Sequence, residues 1–107
     1  MTSAIVTVYA TFASDEEARR IARMVVDERL AACANLLAPG HSIYRWQGKV
    51  EEAQEVPALF KTRKATAAAL IARIAELHSY DVAAAVAWPI EVTSPAYADW
   101  VVDEVQV

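Results

Sequence analysis

Cysteine occurs once, at Cys33, so no disulfide can close within the chain and nothing points to an oxidising compartment; a cytoplasmic location is the expectation. Glycine occurs only twice, at Gly40 and Gly48, which leaves no glycine-rich phosphate loop. The two histidines, His41 and His78, form no His-Glu-x-x-His pair, no Gly-x-Ser-x-Gly elbow is present, and one cysteine supplies no paired-cysteine metal spacing. The common catalytic templates are missing, and an enzyme is disfavoured. An excess of positive charge is missing too: ten Lys and Arg stand against fourteen Asp and Glu, interleaved along the chain, for a net charge of −4. Without a basic stripe to release counterions from phosphates, nucleic acid is not expected as a partner. No apolar run reaches the roughly 18 residues of a membrane-spanning helix. The apolar N-terminal run has no basic segment before it, so neither a membrane anchor nor a signal peptide is expected.

What is present is the composition of a folded domain. Hydrophobic residues make up 56% and charged ones 22% of 107 residues, which favours one globular unit spanning 1–107. Ala4 to Phe12 alternates as a strand, with Val6, Val8, Ala10 and Phe12 on one face and Ile5, Thr7, Tyr9 and Thr11 on the other. Ser14, followed three residues on by Glu17, reads as a capping box that opens a helix and sets acidic charge at its positive end. Ala18, Ile21, Ala22 and Val25 recur at helical spacing, so one face packs on a sheet, and the acidic opening reads as solvated.

Cys33 to Leu37 reads as a second strand, kinked at Pro39-Gly40 and resuming at Ser42. Alternation then puts Ser42, Tyr44 and Trp46 on one face and Ile43, Arg45 and Gln47 on the other, before a turn permitted by Gly48. The return arm covers Lys49 to Glu51 and Gln54 to Thr62, with Pro57 removing one ladder donor and so implying an edge or a bulge. Large residues on both faces of a two-stranded ribbon call for a covering surface, most simply another copy of the chain.

Ala67, Leu70, Ile71, Ile74 and Leu77 mark a second helix from about Lys64 to His78. The nearly uncharged run Val82 to Val92 reads as a strand buried on both faces, and Ser94-Pro95 caps a short terminal helix with Tyr97, Trp100 and Val101 on its apolar side. The order strand, helix, strand, strand, helix, strand, helix is the α+β, ferredoxin-like split βαβ arrangement (βαββαβ with a long β2–β3 hairpin) plus a C-terminal helix. Helices are expected on one face of four strands, and the apolar surplus predicts self-association.

Few residues suggest chemistry on their own. Cys33, flanked by alanines at the head of a strand, reads as a small buried hydrophobe; pairing it with His41 or His78 as a nucleophile is not something spacing can decide. His78 at a helix end suits either the negative terminus or a metal or anion, and His41 suits an exposed loop. Lys61 within a strand suggests an ion pair with a carboxylate such as Glu55. Of the tryptophans, only Trp46, beside the glycine turn, suggests a pocket wall.

Four motifs in order give the chain a likeness. Leu30-Ala31-Ala32-Cys33-Ala34-Asn35, then Ser42-x-Tyr44-x-Trp46-x-Gly48-Lys49-Val50-Glu51, then Glu55 with Lys61-Thr62, then His78-x-Tyr80 resemble the CutA divalent-cation tolerance proteins along nearly the whole length. The resemblance implies a ferredoxin-like subunit in a homotrimer whose sheets join through the long hairpin, kin in fold to PII signalling proteins. It also implies a cytoplasmic role linked to copper and other divalent ions, with no cofactor required. The family's His-Pro-Tyr-x-x-Pro-Glu segment stands here as His78-Ser79-Tyr80-Asp81-Val82-Ala83-Ala84, without the proline and the glutamate, and a first-strand cysteine of some members is replaced by Ala10. Loss of a thiolate and a carboxylate leaves His78, with Cys33, Asp81 or a neighbouring subunit in support, as the candidate metal ligands. Asn35, Tyr44, Arg45, Trp46, Glu55, Lys61 and Tyr80 remain for a cleft between subunits that would hold a small anion or polar metabolite. The leading expectation is a non-enzymatic homotrimeric tolerance protein responding to metal ions, with copper as a candidate ligand. The alternative is a PII-like signalling or interaction module binding a small ligand or partner protein at the interface.

Overall fold

The structure, a computed structural model, describes residues 4–106. Met1, Thr2 and Ser3, which head the N-terminal run considered above, and Val107 lie outside the described residues. The elements are β1 (Ile5–Phe12), α1 (Asp15–Asp27), β2 (Cys33–Leu36), β3 (Gly40–Trp46), β4 (Lys49–Arg63), α2 (Ala67–Leu77), β5 (Ala85–Pro89) and α3 (Pro95–Glu104). They form an antiparallel five-stranded sheet in the order β2-β4-β1-β5, with β3 also paired to β4. This is the expected ferredoxin-like α+β order, with the second strand divided in two.

The division has a local cause. β4 runs unbroken for 15 residues, pairing its first half with β3 and its second with β2. Pro57 lies where one partner gives way to the other, paired with Thr11 of β1, and its carbonyl accepts from the Leu37 amide at 2.9 Å. A strand residue's nitrogen and carbonyl face the same neighbour in an antiparallel ladder, so the missing proline donor falls at the β2–β3 break, where no bond is lost.

The β1 alternation holds. Val8, Ala10 and Phe12 meet Phe60, Ala58 and Val56 across the ladder, and the helices bury this face with Ala18, Ile21, Val25, Leu70 and Ile74. α1 begins with Ser14 Oγ accepting from the Glu17 amide at 3.1 Å, half of the expected capping box. Its end uses no glycine: Arg29 adopts φ 62, and the Arg29 and Leu30 amides bond back to the Val26 and Val25 carbonyls.

Three expectations are corrected. α3 lies on the opposite face from α1 and α2, where Val101 and Val105 bury Ile5 and Ala32 at one end of the sheet, so the helices do not share one face. His41 belongs to β3 instead of a loop, opposite Gln54. β5 is shorter than the apolar run and is not buried on both faces: it pairs with β1 alone, and Val86 and Trp88 stay 52% and 44% exposed. An edge strand receives cover from a single neighbour, so Val86 and Trp88 have Tyr9 of β1 beside them and stay half-exposed on their other sides.

Candidate functional site

Beyond α3, the helix-free face of the sheet is walled by the β3–β4 hairpin and by the segment after α2. Together they enclose a cavity of about 540 Å³ lined by Tyr9 and Thr11 of β1, Ser42, Tyr44 and Trp46 of β3, Glu55 of β4, and Tyr80, Asp81, Val82 and Ala84. Each strand contributes by alternation. Tyr44 and Trp46 face inward with Ser42, while Arg45, one residue out of phase, lies on the far side of the ribbon.

The loop wall is fixed from behind by buried polar groups. His78 follows α2 with its side chain fully buried, stacked on Phe12 at a centroid distance of 5.1 Å. Its Nε2–H donates to the Thr11 carbonyl at 2.7 Å, and Nδ1 accepts the Tyr80 amide at 3.1 Å. The Glu17 carboxylate, turned inward instead of toward water, accepts from the Ser79 amide at 3.2 Å and the Ser79 hydroxyl at 2.7 Å, and lies 3.4 Å from His78 Nδ1. These bonds aim Tyr80 across the cavity, where its hydroxyl donates to Glu55 Oε2 at 2.9 Å. Burial pushes the Tyr80 phenol up to about 12, helped by the hydrogen bond to and charge of Glu55 and by the nearby Tyr44 and Glu17.

Of the residues expected from sequence, Tyr44, Trp46, Glu55, Tyr80 and Asp81 converge here. Asn35 and Lys61 instead pair with each other at 3.4 Å, further along the sheet. Lys61 makes no ion pair with Glu55: six positions apart on one extended strand, they stand about 20 Å from one another. Lys61 and Arg45, expected with the others at a cleft between subunits, do not line this cavity within one protomer. Cys33 sits at the α3 end, half-buried, its Sγ 3.4 Å from the Tyr97 hydroxyl and paired with neither histidine. Burial, with the contact to Cys33, pushes the Tyr97 phenol up to about 12.

The candidate metal ligands do not meet within one protomer. His78 has both ring nitrogens engaged, Asp81 is at the cavity and Cys33 is at the opposite end; among the described residues no three His, Cys, Asp or Glu side chains form a metal-holding group. Residues that sequence reasoning missed are Tyr9 and Thr11, whose face of β1 it had identified without a cavity, and Glu17, whose inward turn answers to Ser79 and His78, 62 and 61 positions away (79 − 17 and 78 − 17).

The sequence matches the description "CutA1 divalent ion tolerance protein" over residues 6–104. The chain belongs to the CutA1 family. Protein CutA of Mus musculus is 42% identical over 93 residues, which cover 87% of this chain and 52% of the mouse protein, so the chain spans about half the length of such curated relatives. Among solved structures, CutA from Xylella fastidiosa is 38% identical with a TM-score of 0.93, covering 97% of this chain and 100% of that one. A CutA from Archaeoglobus fulgidus, described as a periplasmic divalent cation tolerance protein, is 35% identical with a TM-score of 0.91, covering 95% and 99% of the two chains. CutA1 membership accounts for the ordered motifs that Tyr44, Trp46, Glu55 and Tyr80 belong to, and no helix among the described residues is long and apolar enough to cross a membrane.

Proposed function

We propose that the chain is a non-enzymatic divalent-cation tolerance protein that acts as a cytoplasmic homotrimer. Family membership over almost the whole chain carries this reading, and the relatives' names as divalent-cation tolerance proteins supply its substance. The exposed apolar side chains of β3, β5 and the segment before β5 support self-association, since Ile43, Val82, Val86 and Trp88 leave more apolar surface open than a lone small domain ordinarily shows. Copper is assigned to the assembled trimer and not to one protomer: Cys33, the soft ligand, and Asp81 are at least partly accessible, whereas His78 is tied on both nitrogens. Calorimetric titration of metal-free protein with copper and zinc ions tests this. Saturable heat that shrinks in Cys33→Ser supports it, and absence of heat at high protein concentration rejects a metal role for this member.

A second reading is favoured by the cavity itself: a PII-like module holding a small ligand beside the hairpin. Aromatic walls and a few convergent polar groups are the usual make-up of such sites. Lys61→Ala is expected to leave ligand affinity unchanged, because Lys61 bonds to Asn35 outside the cavity.

A further inference from the structure

We propose that the cavity beside the hairpin receives an organic ammonium ion, a protonated amine on an apolar body, with Glu55 and Asp81 facing its charge and aromatic rings its sides. This rests on the small-ligand reading and names the ligand class.

The charge balance of the lining is one-sided. Glu55 and Asp81 are its acids, and no Lys, Arg or His lines it. Glu55 is only 8% exposed, and among the described residues it has no ion-pair partner. Its Oε2 accepts from Tyr80, and its other oxygen carries no hydrogen bond within the protomer. The oxygen left free can accept from a cation entering the cavity from solvent, which supplies the charged partner that the protomer lacks.

The walls select the kind of cation. Tyr9, Tyr44, Trp46 and Tyr80 present ring faces and edges, which attract a positive charge through the ring quadrupole and accept an apolar body as well. A bare divalent ion finds only two charged ligands here, with neutral hydroxyls for the rest, and much of the wall is apolar or aromatic surface that such an ion cannot use. An anion meets two like charges. The volume of about 540 Å³ holds a molecule the size of a small arylalkylamine.

The test is calorimetry on the native assembly at neutral pH with three probes that share a phenyl ring on a three-carbon chain: 3-phenylpropan-1-ammonium, 3-phenylpropan-1-ol and 3-phenylpropanoate. The ammonium is expected to bind about tenfold or more tightly than the alcohol, and the carboxylate not at all. Glu55→Gln, which keeps an acceptor for Tyr80, is expected to remove most of that preference, with ammonium affinity falling toward that of the alcohol. Should Glu55→Gln fail to fold, Trp46→Leu on the exposed hairpin serves, with ammonium affinity falling about threefold further than alcohol affinity. Equal binding of ammonium and alcohol, or tightest binding of the carboxylate, overturns the inference and leaves the small-ligand reading standing. No binding by any probe sinks both.

Discussion

Glu17 is the residue whose setting departs furthest from its sequence context. It lies in the acidic first turn of α1, where a carboxylate at the positive helix end ordinarily faces water, yet it is 7% exposed and accepts both hydrogen bonds that Ser79 offers. Replacing it by alanine leaves the Ser79 donors without their acceptor beside His78. Glu17→Ala is expected to cost about 2 kcal/mol in guanidinium unfolding, and Glu17→Gln, which retains an acceptor, about half that. Tyr80 and Tyr97 give a second residue-scale prediction. Folding raises both phenols from 10.0 to about 12, chiefly by burial, so the unfolded chain loses these protons first as pH rises. The stability they contribute is therefore complete below pH 10.0, declines above it, and is gone once pH has passed about 12. Unfolding midpoints measured across this range should fall, and the Tyr80→Phe, Tyr97→Phe double variant should flatten that alkaline decline. An unchanged decline in the double variant would assign it to other groups.

Among the elements, the β3–β4 hairpin turns on Gln47 and Gly48, with φ 49 and φ 82, the paired positive values of a two-residue primed turn. A side chain at Gly48 meets no neighbour but must adopt the left-handed region, whereas Gly40, also in open space, has an ordinary φ. Gly48→Ala is accordingly expected to cost about 1 kcal/mol. Gly40→Ala should be nearly neutral, and equal thermal shifts in the two variants would refute the turn assignment. This hairpin also marks how far the sequence could be read. Alternation revealed the faces of β1 and β3, Ser14 and Ser94 announced two helix starts, and Gly48 announced the turn, because each signal is carried by neighbours within a few residues. The end of α1 at Arg29 was hidden, since no residue type beside it announces a positive φ at an arginine, and the groups it bonds, Glu104 by side chain and the Gln106 amide by carbonyl, lie far along the chain. The length of β5 was hidden for a similar reason: an apolar run from Val82 to Val92 says that cover is needed, not that it comes from the same chain. The cavity was half legible, with Tyr44, Trp46, Glu55 and Tyr80 anticipated. Tyr9 and Glu17 became visible only once the sheet had brought distant segments together.

The molecule as a whole is elongated, 44 Å by 26 Å by 23 Å, because one 15-residue strand carries the hairpin past the helical layer. Ten large apolar side chains among the described residues remain exposed: Leu37 between β2 and β3, four on the hairpin, four on β5 and its flanks, and Trp100 of α3. Trp88 stacks on Tyr9 at a centroid distance of 5.7 Å, and Val86 pairs with Tyr9 across the ladder, so an apolar strip borders the cavity. If identical copies cover this strip, stability depends on association. The thermal midpoint should then rise with protein concentration, and light scattering should return three times the 11.7 kDa chain mass. Val86→Asp distinguishes this from a stable lone protomer. On an exposed edge strand the substitution would shift stability by about 0.5 kcal/mol or less. Within a packed interface it leaves an unpaired carboxylate away from water, a penalty of several kcal/mol, felt at every symmetry-related copy of the site. The expected outcome is a Val86→Asp protein that scatters as a single chain and melts at a midpoint independent of concentration. A variant that keeps the trimeric mass and the original midpoint would place the contacts between copies elsewhere and leave the β5 strip free in solution.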